Sequence, residues 1–252
     1  MSLEFIQSVD EMKTLSRSLK GSLGFVPTMG ALHQGHISLI ERSLKENAHT
    51  IVSIFVNPTQ FNDPKDLEKY PRNVEEDLEL LKGKAISAVF YPQAEDIYRD
   101  NFQYKIIENE NSKILCGQDR PGHFDGVLTV VMKLLQIVKP TKAYFGEKDY
   151  QQLSLIQGMT KAFFMDTEIV ACPTVRNEEG LALSSRNKNL NDLSLLIAPR
   201  FSQNLKAGLS LDETKVLLEK DGFEVLYLEE KWNRRFGAVK LDGVRLIDNV
   251  SL

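Results

Sequence analysis

A strand, a loop and a helix follow one another in residues 23–45, whose sequence is LGFVPTMGALHQGHISLIERSLK. Residues 23–27 form a short apolar run that predicts a buried strand, and residues 36–45 carry their apolar side chains mostly on one helical face. Residues 50–56, TIVSIFV, predict a second buried strand. Two buried strands joined by a helix form a βαβ crossover, which requires a parallel sheet. This stretch therefore predicts an α/β fold.

The same alternation of strands and helices continues to about residue 174. Further helices are predicted at residues 74–81, 126–138 and 149–162, and further strands at residues 85–91, 143–145 and 167–171. We therefore predict a Rossmann-like, doubly wound parallel sheet in a larger domain of residues 1–174.

The character of the sequence changes after Val175. A polar segment leads into an amphipathic helical stretch, and the chain ends with two predicted strands at residues 223–228 and 244–247, arranged as a βαβ-like unit or as a hairpin. We predict that residues 175–252 form a second, smaller C-terminal α+β domain that acts as a lid.

Composition excludes several classes of protein. The 252 residues are 42% hydrophobic and 26% charged with a net charge of −4, which is typical of a globular chain and provides no general attraction for nucleic acid or an anionic membrane. The longest apolar run, residues 126–138, is shorter than the roughly 20 residues of a membrane span. No signal peptide is evident in residues 1–8, and the two cysteines have no paired spacing, so we expect a cytoplasmic protein with plain thiols.

The loop after the first predicted strand favours a bound phosphate. It holds His33 and His36, two of the four histidines in the chain, together with Gly30 and Gly35. Glycines allow close backbone approach, and the start of a helix offers unpaired N–H groups. A histidine that only caps or packs is the alternative. Zinc would need a third ligand, and no metal-ligand spacing accompanies the pair, so we predict no metal held by protein side chains.

Other polar residues are predicted at neighbouring strand ends. Asn57 and Gln60 follow the second strand, and their carboxamides can both donate and accept hydrogen bonds. Lys148 and Asp149 lie between a strand and a helix, where Lys148 can contact phosphate oxygens and Gln152 follows one helical turn later. In each case a solvated turn or surface side chain is the alternative.

A third polar segment follows the change in sequence character. Ser184, Ser185 and Arg186 offer two hydroxyls and a guanidinium suited to polyphosphate oxygens. The alternative is that the serines cap a short helix. For His123 and the glycines around it we favour a structural role, and a lone Met29 beside a helix start is more often a core residue.

Several motifs occur in one order along the chain. They are PTMGALHQGH (27–36), FVNPTQF (55–61), RPGHFDGV (120–127), FGEKDYQQ (145–152), LALSSRN (181–187) and RLIDN (245–249). Together they resemble the pantoate–β-alanine ligase family of the nucleotidylyltransferase superfamily, in which the paired histidines of the HxGH motif hold ATP phosphates. The resemblance runs from about residue 25 to residue 190 and returns near the end.

The resemblance implies an ATP-dependent condensation of (R)-pantoate with β-alanine to pantothenate through a pantoyl-adenylate intermediate, with release of AMP and pyrophosphate. It implies that His36, His33 and Lys148 are catalytic and that Mg²⁺ binds through the phosphates. Pantoate would contact Gln60 and Gln152, β-alanine would contact Gln60, and the family is commonly homodimeric. The ATP contacts implied are Met29, Gly30, Ala31, Leu32, His33, Gln34, Gly35, His36, Gly146, Glu147, Lys148, Asp149, Val175, Leu183, Ser184, Ser185 and Arg186.

Two departures from the family and two rival functions stay open at this point. Leu183 stands where many relatives have Met, a volume-conserving change. Residues 191–221 are expected to be shorter than in relatives, which would affect the size of the lid and how it closes.

One rival is a nucleotidylyltransferase that transfers AMP or CMP to a phosphorylated acceptor. The other is a non-catalytic nucleotide-binding module.

Overall fold

The computed structural model describes residues 4–252 and contains two separate sheets. The larger is a six-stranded sheet in the order β1-β4-β3-β2-β5-β6, and every neighbouring pair in it is parallel. Its strands are β1 (Glu4–Ile6), β2 (Leu23–Thr28), β3 (His49–Ile54), β4 (Ala88–Phe90), β5 (Lys142–Gly146) and β6 (Glu168–Cys172).

Helices connect these strands and cover both faces of the sheet. They are α1 (Val9–Ser18), α2 (Gln34–Glu46), α3 (Pro64–Lys69), α4 (Val74–Leu81), α5 (Ala94–Ile97), α6 (Cys116–Asp119), α7 (His123–Val138) and α8 (Tyr150–Ala162). Short 3-10 helices occupy Pro58–Gln60, Asn111–Lys113 and Glu147–Asp149.

Alternate residues of the strands pack into different cores. Phe25 of β2 lies beside Ile51 of β3 in one cluster with residues of α7 and α8. The next pair, Val26 and Val52, lies in a second cluster with residues of α2. Because the strands are buried on both faces, they read as nearly continuous apolar runs. The predicted doubly wound α/β sheet is confirmed.

Most predicted elements of the larger domain are present with shifted ends. The helix predicted at 74–81 has the same bounds, whereas α7 begins at His123 rather than at residue 126 and β4 is shorter than predicted. Strand β1 and helix α1 were not predicted. The signal for α1 was Ser8, whose hydroxyl accepts hydrogen bonds from the N–H groups of Asp10 and Glu11 as an N-cap.

The C-terminal part forms an antiparallel sheet in the order β7-β8-β9, flanked by helices. Its elements are a 3-10 helix at Ser185–Asn189, α9 (Asp192–Ile197), α10 (Pro199–Lys206), α11 (Leu211–Lys220), β7 (Glu224–Lys231), β8 (Arg234–Leu241) and β9 (Val244–Ser251). Phe201, Leu218 and Val239 belong to its own apolar core.

Strand β8 corrects the prediction for the end of the chain. The βαβ-like alternative is wrong, and the hairpin alternative holds with a third strand added. Trp232 and Asn233 join β7 to β8 with φ of 51° and 53°, which is typical of a two-residue hairpin turn. The α+β character of this smaller C-terminal domain is confirmed, while its division from the larger domain between residues 174 and 175 stays a prediction.

Strand order reverses between β2 and β5. Chain connections lead from β2 to β3 and β4 on one side and from β5 to β6 on the other. In open α/β sheets ligands bind at such a reversal, beyond the carboxyl ends of the strands. Across residues 4–252, no helix combines the length and apolar character that a membrane crossing requires.

Candidate active site

A cleft opens at the carboxyl ends of β2 and β5, where the strand order reverses, and residues from the C-terminal part cover one side of it. Three separate turns meet there: the β2–α2 loop, the β5–α8 loop and the segment before Ser185–Asn189. The predicted site residues that line the cleft are Met29, His33, Gly35, His36, Gln60, Gly146, Lys148, Asp149, Gln152, Val175, Leu183, Ser184, Ser185 and Arg186.

Five predicted site residues do not line the cleft: Gly30, Ala31, Leu32, Gln34 and Glu147. Gln34 is exposed, whereas Ala31 and Leu32 are buried. Glu147 lies 3.7 Å from a guanidinium nitrogen of Arg234. The buried members of this set therefore shape the loop and present no open surface to a ligand.

A buried carboxylate holds the loop between β2 and α2. Asp77 of α4 is 2% exposed, and its two oxygens accept hydrogen bonds from the peptide N–H groups of Ala31 at 2.9 Å and Leu32 at 2.6 Å. Gly30 has a φ of 81°, and an added Cβ would lie 2.9 Å from the Asp77 carboxylate. Glycine is required at this position for both reasons. Burial raises the pKa of Asp77, and its two N–H donors oppose that shift.

The two histidines of the loop cap α2 reciprocally. The Nδ1 atom of His33 accepts a hydrogen bond from the Gly35 N–H at 3.1 Å, and the Nδ1 atom of His36 accepts one from the His33 N–H at 3.3 Å. Since both Nδ1 atoms accept, each neutral ring carries its proton on Nε2. The capping alternative is therefore realised, but it leaves an Nε2–H donor on each ring for a ligand.

Both rings are held in the neutral state. Burial, followed by the charge of Lys148, lowers the pKa of His33 to about 4. Burial, followed by the neighbouring His33 and Lys148, lowers the pKa of His36 to about 3. At neutral pH the pair supplies two uncharged hydrogen-bond donors, and the positive charge comes from the lysine.

The backbone at Lys148 is held by the C-terminal sheet. The side-chain amide of Asn249 in β9 donates to the carbonyl oxygens of Glu147 at 2.9 Å and Lys148 at 3.0 Å. Its own oxygen accepts from Arg234 Nε at 2.6 Å, so the orientation of the amide is defined. The Lys148 ammonium lies 3.8 Å from the Asp149 carboxylate. The last strand of the smaller domain thus positions a loop of the larger one.

Asn57 orients the side chain of Gln60. Asn57 is 1% exposed, accepts a 2.6 Å hydrogen bond from the hydroxyl of Tyr98, and donates to Gln60 Oε1 at 3.0 Å and to the Gly126 carbonyl at 3.1 Å. Because Oε1 of Gln60 already accepts a hydrogen bond, its Nε2 is the group that faces Met29, 2.9 Å from the Sδ atom. Gln60 therefore offers the cleft a donor, which suits a carboxylate or carbonyl oxygen.

The side chain of His123 makes contacts within the fold, which supports the structural role favoured from the sequence. Nδ1–H of His123 donates to the Gln60 carbonyl at 2.7 Å, and Nε2 faces a guanidinium nitrogen of Arg120 at 3.3 Å. A Cβ on Gly126 would lie 2.5 Å from the Thr59 carbonyl, so α7 approaches the 3-10 helix Pro58–Gln60 closely. Burial, then Arg120, lowers the pKa of His123 to about 3.

Adjacent glutamines in α8 have different environments. Gln151 is buried, donates to the carbonyls of Asn111 and Ile114, and accepts from the Cys116 N–H. Gln152 is half-buried and lines the cleft. Gln151 is thus committed to the fold, while Gln152 is placed for a ligand.

The serine segment caps a short helix, as the alternative from the sequence has it, and its contact with polyphosphate oxygens stays a prediction. The Ser184 hydroxyl accepts from the Arg186 N–H at 3.3 Å as the cap of the 3-10 helix, and the Ser185 hydroxyl donates to the Ala31 carbonyl at 3.0 Å. The Leu183 N–H donates to the Val175 carbonyl at 3.0 Å, which folds residues 175–183 back on themselves at the rim of the cleft.

Sequence reasoning missed an apolar wall and an aromatic residue. Helix α7 contributes residues at helical spacing that line the cleft, namely Val127, Val130, Val131 and Leu134. That spacing is the signal of any core-facing helix, so it could not mark a site. Tyr70, Pro173 and Thr174 also line the cleft without a distinctive motif. Within residues 4–252, no three His, Cys, Asp or Glu side chains come together as a metal site.

The sequence matches a known family over nearly its whole length. The model of the Pantoate-beta-alanine ligase family matches residues 4–251. A pantothenate synthetase of Bdellovibrio bacteriovorus is 53% identical over 249 residues, covering 99% of this chain and 99% of that protein. One from Legionella pneumophila is 53% identical over 239 residues, covering 95% of this chain and 94% of that protein. These relatives are about as long as this chain, and the expected shortening of residues 191–221 stays a prediction.

Solved structures agree with this match. A pantoate-beta-alanine ligase from Francisella tularensis, complexed with Beta-gamma ATP and β-alanine, superposes with a TM-score of 0.95 at 44% identity, covering 99% of this chain and 98% of that one. A pantothenate synthetase from Thermus thermophilus has a TM-score of 0.91 at 36% identity, covering 99% of both chains. Fold, length and sequence are therefore shared with these proteins.

Proposed function

The chain belongs to the pantoate-beta-alanine ligase family and is a ligase, and we propose that it condenses (R)-pantoate with β-alanine at the expense of ATP through a pantoyl adenylate. One observation carries the proposal: two neutral imidazole donors, an ammonium group and a Ser-Ser-Arg segment line one cleft at the strand-order reversal. This donor set suits a triphosphate. The relative complexed with Beta-gamma ATP and β-alanine supports the same substrates here.

In the first step, a carboxylate oxygen of pantoate attacks the α-phosphorus of ATP. The new bond is O–P, the bond between the α-phosphorus and its bridging oxygen breaks, and pyrophosphate leaves with the electron pair. Negative charge builds up on the phosphoryl oxygens, so preorganised donors lower the barrier more than a protein nucleophile would. The Nε2–H groups of His33 and His36 donate to phosphate oxygens. The ammonium group of Lys148 stabilises the negative charge that develops on the phosphoryl oxygens.

The neutral state of the histidines refines their proposed role. With the pKa of His36 at about 3, its ring is neutral at neutral pH before ATP binds and therefore has no imidazolium proton to donate. We therefore assign His36 and His33 as hydrogen-bond donors to the phosphates and Lys148 as the cation. Ser184, Ser185 and Arg186 close on the phosphates from the other side, and the backbone at Val175 borders the adenine.

Pantoate is proposed to bind between a polar and an apolar surface. Gln60 and Gln152 would contact its hydroxyl and carboxylate groups, and the orientation of Gln60 imposed by Asn57 provides the donor for this contact. Val127 and Val131 of α7 line the same cleft and fit the branched aliphatic part of the acid.

Magnesium would be held mainly through the phosphates of ATP. Because the described residues contain no cluster of three ligating side chains, the donors that fit Mg²⁺ are phosphate oxygens and water, which is its usual environment with nucleotides. When bound, the ion would neutralise phosphate charge. The protein groups then hold the phosphates in line with the attacking carboxylate.

The proposals for location and assembly rest on the family resemblance and on the sequence. We propose a cytoplasmic homodimer formed through the larger domain. Two unpaired thiols, Cys116 and Cys172, fit a reducing compartment. Exposed apolar side chains of the larger domain, such as Phe102, Tyr104 and Ile107, are candidates for the dimer contact. Light scattering of the purified protein measures the number of chains.

Pantoate-dependent exchange of labelled pyrophosphate into ATP tests the proposed function. The adenylation step predicts exchange with pantoate in the absence of β-alanine, and AMP release once β-alanine is added. A nucleotidylyltransferase for a phosphorylated acceptor would show no dependence on pantoate. A non-catalytic module would bind ATP without any exchange.

A further inference from the structure

Two adjacent residues of β9 contact different walls of the cleft. The side-chain amide of Asn249 donates to two backbone carbonyl oxygens of the 3-10 helix Glu147–Asp149, on the side proposed for the phosphates. The side chain of Asp248 binds Arg176, which directly follows Val175 on the side proposed for adenine. One strand of the smaller domain therefore holds two segments that would contact different ends of one ATP molecule.

The carboxylate of Asp248 and the guanidinium of Arg176 form a bidentate ion pair. Nη1 of Arg176 lies 2.6 Å from Oδ2 of Asp248, and Nη2 lies 2.8 Å from Oδ1. Asp248 is buried, and its Oδ1 also accepts a 2.8 Å hydrogen bond from the Asn249 N–H. Because two parallel hydrogen bonds join the planar groups, their relative orientation is defined.

Arg176 also organises a short hairpin, residues 175–183, at the rim of the cleft. Its Nη1 donates to the Gly180 carbonyl at 3.1 Å, and its backbone pairs with Ala182 as an isolated antiparallel bridge. The Leu183 N–H donates at 3.0 Å to the carbonyl at the other end of the hairpin. The ion pair thus determines where the 175–183 hairpin lies relative to β9, and the serine segment follows directly from the end of this hairpin.

Burial of this ion pair favours a role in geometry over a role in stability. The side chain of Asp248 is 2% exposed and that of Arg176 is 18% exposed, so both charges are largely removed from water. The cost of that transfer cancels much of the attraction between the charges, and apolar residues of similar volume often stabilise a fold as well. An apolar pair would lack the fixed orientation. Neither Arg176 nor Asp248 lines the cleft, so both would act on a substrate there through other residues.

We propose that Asp248 and Arg176 are positioning residues for ATP, and that their ion pair sets the distance between the 175–183 hairpin and the loop that carries Lys148. This inference rests on the proposed function and extends it to two residues outside the cleft. The two anchors, Asp248 and Asn249, are consecutive in one strand. The hairpin and the loop are therefore held at one separation.

ATP would span the gap between these walls, with its adenine beside Val175 and its phosphates beside Lys148. Since one covalent molecule joins both ends, binding of the adenine places the phosphates beside their own wall. This gain in affinity requires the separation of the walls to match the length of the nucleotide. A changed separation should therefore weaken ATP binding, while each wall still binds its half of the molecule. Pantoate, proposed to contact Gln60 and Gln152, does not span this gap and should be unaffected.

Binding measurements on the full-length protein test this proposal with ATP and with its two halves. We would measure the Kd of ATP by titration calorimetry with magnesium present, and the Kd values of adenosine and tripolyphosphate by competition with ATP. Asp248→Asn keeps the shape of the side chain but loses its charge and one acceptor oxygen. We expect its Kd for ATP to rise roughly 10-fold, a partial loss of the gain from joining both ends.

The other values for Asp248→Asn should stay close to those of the wild type. The Kd values of adenosine and tripolyphosphate, and the KM for pantoate in pyrophosphate exchange, should change by less than about threefold, as for sites that do not interact. A general loss of stability would not produce this selective effect on the complete nucleotide.

Two further variants make the result decisive. Arg176→Lys keeps the charge but not the two parallel hydrogen bonds, so it should weaken ATP binding in the same selective way. It carries the test if Asp248→Asn does not fold. Asp221→Asn is the matched control, because it removes a carboxylate from another 2.6 Å ion pair of the smaller domain, with Arg200. This control should leave all of the measured values unchanged.

An unchanged Kd for ATP in Asp248→Asn and Arg176→Lys would overturn the proposal. So would a loss for adenosine, tripolyphosphate or pantoate as large as the loss for ATP, because it would show damage to one wall or to the whole fold. A wild-type protein that binds ATP without pantoate-dependent exchange would instead refute the proposed function, and the binding measurements would still decide on the ion pair.

Discussion

The carboxylate of Asp77 accepts a hydrogen bond of 2.6 Å from the peptide N–H of Leu32, although the two residues are 45 positions apart in the chain. Together with the bond from the Ala31 N–H, this contact ties α4 to the loop that carries His33. The geometry of this loop therefore depends on Asp77, which lies outside the sequence motif at residues 27–36.

Asp77→Asn should weaken both the loop and the reaction. The amide has one acceptor oxygen in place of two, so its NH₂ group faces a peptide N–H that loses its partner. We expect the free energy of unfolding to fall by about 1–3 kcal/mol and pantoate-dependent pyrophosphate exchange to decrease. Denaturant titration and the exchange assay measure the two effects. Glu75→Gln makes the same chemical change at an exposed position of α4 and serves as the control; equal behaviour of the two variants would contradict the role of Asp77.

Removal of either proposed phosphate donor should slow adenylate formation. We expect His36→Ala and Lys148→Ala each to lose about 2–4 kcal/mol of transition-state stabilisation, which is roughly 30- to 1,000-fold in kcat/KM for pyrophosphate exchange. Cys172→Ser, a change at the buried thiol that ends β6, should leave exchange nearly unchanged. Wild-type rates for either donor variant would refute the assignment.

Asn249→Ala should act through Lys148. The variant removes both hydrogen bonds that hold the carbonyls of Glu147 and Lys148. We expect roughly tenfold slower pyrophosphate exchange, because the backbone that carries the Lys148 side chain is no longer held in place. A double-mutant cycle with Lys148→Ala is the measurement. If Asn249 works by positioning Lys148, the double variant is no slower than Lys148→Ala alone, and additive losses would argue for an independent role.

Acidification should destabilise the protein through its buried histidines. The pKa of His123 is about 3, below the ordinary value of 6.5 that it takes in the unfolded chain. As pH falls below 6.5, the unfolded chain takes up a proton that the native protein does not, so the free energy of unfolding decreases. Between pH 7 and pH 5 this amounts to about 2 kcal/mol for His123, and the lowered pKa values of His33 and His36 act in the same direction.

Urea titrations at a series of pH values test this linkage. His123→Gln removes the titrating ring but keeps a side-chain N–H that can donate to the Gln60 carbonyl. Its free energy of unfolding should therefore fall less steeply between pH 7 and pH 5 than that of the wild type. Parallel curves for the two proteins would show that His123 does not take part.

The sequence could predict the features that repeat along the chain. The apolar runs of β2 and β3 and the amphipathic α2 carry the α/β assignment, because each pattern reflects burial of the element itself. Strand β8 was missed because its apolar residues, Phe236 to Val239, form a short run between charged ends and include a glycine, and the three-residue β1 is too short for a periodic signal.

Features that depend on distant partners could not be predicted in the same way. Gln151 and Gln152 are chemically identical neighbours, and only the carbonyls around Gln151 distinguish them. Asp77 belongs to an acidic helix face on which nothing marks it as buried.

The mixed lining of the cleft has a consequence for inhibitor design. His33 and Lys148 border the same space as Val127 and Val131 of α7, so a single molecule can carry a nucleotide-like group at one end and a branched apolar group at the other. Once the first group is bound, the second meets its surface at an effective concentration on the order of millimolar. A linked compound of this kind should therefore bind more tightly than either fragment alone.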